Sequence, residues 1–148
     1  MKFITSIIFA LGLALSGGPK EAQAKASVGA IAAYPEVIGV YGSAFMLDQL
    51  SVDGWLTTST ADLGLTAHFP VAEGLQTQHS ILLTGMVGYA HNLMAVFPYR
   101  SYHAVFAAGY GFQSLNGWDI RAQLGTEVFG AHPVATGFHG HLMVGHMF

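Results

Sequence analysis

The twelve residues Gly137–Phe148 alternate without a break. Phe138, Gly140, Leu142, Val144, His146 and Phe148 share one side; Gly137, His139, His141, Met143, Gly145 and Met147 share the other. A period of two is the mark of a β-strand, because successive side chains leave opposite faces of the pleat. A one-residue slip would exchange the two sets, so a chain built from such segments is tightly constrained in register. The segment ends on an aromatic residue while still in the strand pattern, as expected of a strand that closes a barrel in an apolar solvent.

The same alternation recurs upstream. Tyr102–Gln113 sends Tyr102, Ala104, Phe106, Ala108, Tyr110 and Phe112 one way, and small or polar residues the other. Trp118–Gly130 sends Trp118, Ile120, Ala122, Leu124, Thr126 and Val128 one way, and Asp119, Arg121, Gln123, Gly125 and Glu127 the other. Aromatic residues on one face with small and charged residues on the other fit a small barrel whose interior is crowded and polar and whose exterior is apolar. His79–His91 alternates in the same way. Val37–Leu47 is apolar or small on both faces and gives no orientation.

Trp55–Phe69 reads as one strand with an odd face of Trp55, Thr57, Ser59, Ala61, Leu63, Leu65, Ala67 and Phe69 and a largely polar even face. Aromatics at both ends of an apolar stripe are what two membrane interfaces select. Asp48–Gly54 reads as a polar loop closed by an Asp-Gly turn, and Pro70–Gln78 as a break. Asn116-Gly117 is a strong hairpin signal. Ala26–Tyr34 reads as a short first strand or an N-terminal arm.

Hairpin-length connections make such a meander antiparallel. The expected fold is all-β: an antiparallel up-and-down transmembrane β-barrel with six strands visible and about eight expected, since closed single-chain barrels have at least ~8. The two further strands are sought in Ala26–Tyr34 and inside Trp55–Phe69, with self-association as the other route to closure. The rival reading takes Ser80–Phe97 as a transmembrane helix in a multi-helix protein. A soluble, calycin-like barrel is disfavoured by the aromatic exterior of Tyr102–Phe112.

Only 9% of residues are charged, against roughly 25% in ordinary soluble domains. From Lys25 onward the fixed cations are Lys25, Arg100 and Arg121. Nucleic acid is therefore not an expected partner, because it demands clustered Lys and Arg. The chain has no cysteine, which excludes a disulfide framework. Residues 1–24 carry Lys2, the apolar run Phe3–Leu15 and an Ala22-Gln23-Ala24 cleavage pattern. They read as a signal peptide, leaving 25–148 as a single exported domain.

Taken together, the signal peptide, the aromatic-flanked alternating strands and the final strand ending in Phe148 resemble the small bacterial outer-membrane β-barrel proteins. The resemblance covers roughly Val37–Phe148 as a pattern. It implies a place in the bacterial outer membrane, contact with outer-membrane lipid, and recognition of the last strand, through Phe148, by the barrel-assembly machinery. Self-association into a homo-oligomer is compatible with it. His146 departs from the class, where the third residue from the end is often aromatic.

Candidate functional residues follow from the inward faces. Asp62, Asp119, Arg121, Gln123 and Glu127 are expected to form an interior polar network, with Arg121 among the carboxylates because an unpaired buried charge is costly. His68, His103, His139 and His141 form a candidate interior cluster, either metal-binding or polar filler. Trp55, Phe69, Tyr102, Phe112 and Trp118 are expected at the membrane interfaces. No phosphate-binding loop occurs, and no cofactor is expected. The function read from the sequence is a small barrel with a structural, interaction or limited-permeation role. The alternative is an outer-membrane lipid acyl hydrolase or acyltransferase, with His103 or His139 acting beside Ser101 or Ser114.

Overall fold

The computed structural model describes residues 25–35, 37–47, 49–74, 76–90, 101–130 and 135–148. They form β1 (Ala26–Tyr34), β2 (Val37–Leu47), β3 (Leu50–Thr57), β4 (Thr60–Glu73), β5 (Thr77–Ala90), β6 (Ser101–Ser114), β7 (Trp118–Phe129) and β8 (Ala135–Met147). Each strand pairs antiparallel with the next, and β1 pairs with β8, closing the barrel. The fold is thus an all-β, eight-stranded, up-and-down barrel. Phe148 N–H donates to the Ala26 carbonyl at 2.8 Å, sealing the seam between the start of β1 and the end of β8.

Six strands become eight where the sequence signals were ambiguous. Ala26–Tyr34 is a full strand with partners on both sides. The segment read as Trp55–Phe69 is two strands, divided at Thr58–Ser59. The first of these begins at Leu50, so Leu50–Gly54 is not the loop its Asp53-Gly54 dipeptide suggested. Residues directly opposite in an antiparallel pair share a face. Trp55 lies opposite Asp62, so odd positions before the turn and even positions after it point the same way. Pro70 does not end β4, which runs on to Glu73 across a register shift between Pro70 and Ala72. A bulge is where a strand can accommodate a residue without a ladder donor. Asn116-Gly117 does form the β6–β7 turn, with Gly117 at φ 87°.

The rival helix is overturned: Thr77–Ala90 is strand β5, and residues 91–97 of that stretch lie outside the described residues. No helix among the described residues is long and apolar enough to cross a membrane. Residues 1–24, read as a signal peptide, also lie outside them.

Polarity is inverted relative to a soluble barrel. Ile38, Val40, Leu63, Leu65, Leu83, Val87, Phe106, Leu124 and Leu142 are among the exposed large apolar residues. Among the described residues, Asp53, Asp62, Asp119, Arg121 and Glu127 are buried, whereas Lys25 and Glu73, both at the end that carries the termini, are exposed. Two groups of outward aromatics bracket the apolar zone. Tyr89 and Tyr102, 5.3 Å between centroids, and Tyr34 and Phe138, 6.2 Å apart, stand at the far end. Trp118, His146 and Phe148 stand near the termini, with His79 and Phe112 beside them at 5.3 Å. From Tyr102 to Phe112 along β6 is ~33 Å at ~3.3 Å per residue, or ~25 Å of height at a ~40° tilt.

Candidate functional site: the polar interior

Alternate residues of every strand converge on the lumen, and a barrel of this strand number is filled by its own side chains. The inward polar residues divide into three groups.

Arg121 organises the first, in the half nearer the termini. Its Nε and Nη2 donate to the two oxygens of Asp119 at 3.1 and 2.8 Å, a bidentate fork. Its Nη1 donates to Asp53 at 3.2 and 3.3 Å, and Nη2 also reaches Ser43 Oγ at 3.1 Å. Ser27 donates to Asp119 at 2.7 Å, and the Tyr41 hydroxyl lies 3.4 Å from the same carboxylate. Asp53 further accepts from Ser43, from Ser51 and from Thr66, which in turn bonds Thr84. The rings of Tyr41 and Phe45 flank the guanidinium at 5.9 and 5.7 Å. His68 Nε2 lies 2.9 Å from Ser51 Oγ; since Ser51 gives its proton to Asp53, His68 is the donor. A guanidinium and two carboxylates, all desolvated, are thus held by four hydroxyl side chains and a phenol. This satisfaction is what makes buried charge tolerable.

The second group lies toward the far end. His103 Nε2 bonds Asp62 at 2.6 Å and comes within 3.6 Å of Glu127. The third lies between β3 and β8. His139 stacks on Trp55 at 5.7 Å and 10°, His141 meets the Trp55 ring edge-on at 4.4 Å, and the two imidazoles are joined Nε2 to Nδ1 at 3.0 Å. Ile31, Ala33, Tyr41, Met86, Val105, Ala107 and Met143 pack with Trp55 as the apolar core of the lumen.

Several expectations are corrected here. Arg121 pairs with Asp119 but not with Asp62 or Glu127, which go to His103. Its second carboxylate is Asp53, which sequence reading had put in a loop. The signal was present: Ser51, Asp53, Trp55 and Thr57 alternate with Leu50, Val52, Gly54 and Leu56. Gln123 is buried, but its amide has no hydrogen-bond partner among the described residues. The four histidines do not form one cluster, and no group of three or more His, Cys, Asp or Glu among the described residues is arranged to hold a metal. Phe69, Tyr102, Phe112 and Trp118 stand on the outward face, but Trp55 does not: it is 2% exposed and inside the lumen. Of the pairings weighed for an enzyme, those with Ser114 do not form: Ser114 ends β6 at the edge opposite His103 and accepts from the Trp118 amide at 3.1 Å, while His139 is engaged by Trp55 and His141. The Ser101 side chain lies outside the described residues.

No family model and no curated protein matches the chain. Among solved structures it is similar to the N-terminal β-barrel domain of OprF from Pseudomonas aeruginosa, at 14% sequence identity and a TM-score of 0.47, over 84% of this chain and 97% of that one.

Proposed function

We propose that this chain is a small bacterial outer-membrane β-barrel with a sealed lumen, acting as a structural or interaction element of the outer membrane rather than as an open pore. The observation that carries the reading is the inverted polarity: charges inside, an apolar exterior, and aromatic rings at both margins. A band of roughly 25 Å is the height of the apolar exterior of such barrels. In water this exterior would be a very large exposed apolar patch, which soluble monomers do not tolerate. In lipid it is the solvated surface.

The sealed lumen rests on the core side chains that cross it, Trp55, Met86, Val105 and Met143, each at most 2% exposed. On this reading residues 1–24 direct export and are removed, and the final strand with Phe148 is presented to the assembly machinery. The reading is tested by fractionating cells and comparing boiled with unboiled samples of the outer membrane. A heat-dependent mobility shift in that fraction is expected, as is the absence of discrete conductance steps in planar bilayers. Recovery in the soluble fraction would end the membrane reading. Reproducible ohmic conductance would end the sealed-lumen part alone.

A further inference from the structure

Within the lumen, His139 and His141 are in contact with each other and with the Trp55 ring. Both imidazoles leave the inward face of β8, and Met143 is the next inward residue on that face. Their facing nitrogens are 3.0 Å apart. With metal–nitrogen bonds of ~2.05 Å, a 3.0 Å separation corresponds to an N–metal–N angle of about 94°. Opening to a tetrahedral angle needs only a few tenths of an ångström more. An ion there takes the place of the N–H···N bond, the bridging proton moving to the other nitrogen of its own ring, and the two facing nitrogens are then spaced as adjacent ligands. His141 Nε2, on a side chain that is 5% exposed, has no hydrogen-bond partner among the described residues, and neither has the Gln123 amide opposite it.

The surroundings select the ion. No group of three or more His, Cys, Asp or Glu among the described residues is arranged to hold a metal, and the next inward side chain on β8 is the Met143 thioether. Thioether with imidazole is a soft donor set, suited to monovalent copper or silver and poor for magnesium, calcium or manganese. Trp55, stacked on His139 and edge-on to His141, offers a π-face to a cation. Charge points the same way. Desolvation penalises a doubly charged ion far more than a singly charged one. Arg121, Asp53 and Asp119, whose cation sits on the strand neighbour of Met143, sum formally to one negative charge. A single positive charge above them would balance it.

The geometry points to a binding site for a soft monovalent cation, of the copper(I) or silver(I) class, formed by His139, His141 and Met143 against the face of Trp55. It depends on the barrel interior and not on where the barrel resides, so it stands or falls separately from the membrane reading. The probe is silver(I), which needs no reductant. Protein refolded in detergent is exposed to silver nitrate in chloride-free buffer, desalted and assayed for bound silver, with Trp118→Phe as background so that emission reports Trp55. One tightly retained equivalent with strong loss of Trp55 emission is expected. The double change His139→Leu with His141→Leu should abolish both, and Met143→Leu, nearly isosteric and safe for folding, should weaken retention at least tenfold. Variants are compared only where the heat-dependent gel shift shows a folded barrel. Unchanged silver retention in Met143→Leu or in the double variant would overturn the site. So would retention without any change in Trp55 emission, or a preference for zinc over silver.

Discussion

Replacing Arg121 with Met removes the cation that holds Asp53 and Asp119 in the lumen. Five donor–acceptor contacts vanish, four of them to carboxylate oxygens at 2.8 to 3.3 Å. Met fills a similar volume along the stem, so the cavity is modest and electrostatics dominate. Breaking a buried ion pair from one side costs about 3–5 kcal/mol, whereas replacing the whole set by neutral groups of similar shape is close to neutral. Arg121→Met alone is therefore expected to destabilise by about 3–5 kcal/mol. Adding Asp119→Asn and Asp53→Asn together should recover most of that. Ser27, Ser43, Ser51 and Thr66 would still have an amide oxygen to bond, which limits the residual loss to about one or two weak hydrogen bonds, ~1–2 kcal/mol. The measurement is urea unfolding of the refolded barrel in detergent, followed by tryptophan emission and by the unboiled gel band. Asp62→Asn is the internal control. Asp62 belongs to His103, so it should not rescue Arg121→Met. If the triple variant is no more stable than the single one, the losses are simply additive and the network account is wrong. If Asp62→Asn rescues as well as Asp53→Asn, the assignment of partners is wrong.

The remaining expectations are these. Brominated acyl chains should quench Trp118 and spare Trp55; strong quenching in Trp118→Phe would contradict the inward placement of Trp55. Leu124→Arg, on an outward side chain of β7, should cost about 2–4 kcal/mol in a bilayer, while Leu115→Arg in the β6–β7 turn should cost under ~1; equal effects would mean that no apolar band exists. Gly64→Ala and Gly125→Ala should impair folding, because a Cβ there would lie 2.2 Å from the Gly85 carbonyl and 1.9 Å from that of Phe106. Gly54→Ala meets nothing closer than 3.8 Å and should fold, as read by the heat-dependent gel shift.

The alternation of β5 to β8 carries its own orientation. Each of these strands has a face rich in large apolar residues and a face rich in small or polar ones, and a period of two leaves one way to sort them. The inward position of Asp119, Arg121, Gln123, Glu127, His139 and His141 was legible for that reason. Strands β2 and β3 were harder. Val37–Leu47 is apolar on both faces, and the Asp53-Gly54 pair mimics a turn inside a strand. Local turn chemistry and strand pattern disagreed there, and pairing with β2 and β4 prevailed because it satisfies the backbone along the whole ladder.

The sequence by itself determined an all-β chain with an apolar outside and a charged inside, because those properties follow from side-chain order along each strand. Only the closed tertiary structure decided which inward residues meet. Arg121 and Asp53 are sixty-eight positions apart, and so far as the strand patterns go Asp62 would have served as well. The partner is fixed by the stagger of neighbouring strands around the barrel, a sum of registers and of turns such as Thr58–Ser59 that no single segment encodes. The same sum turns Trp55 from the apparent rim to the lumen and sets it against His139 and His141.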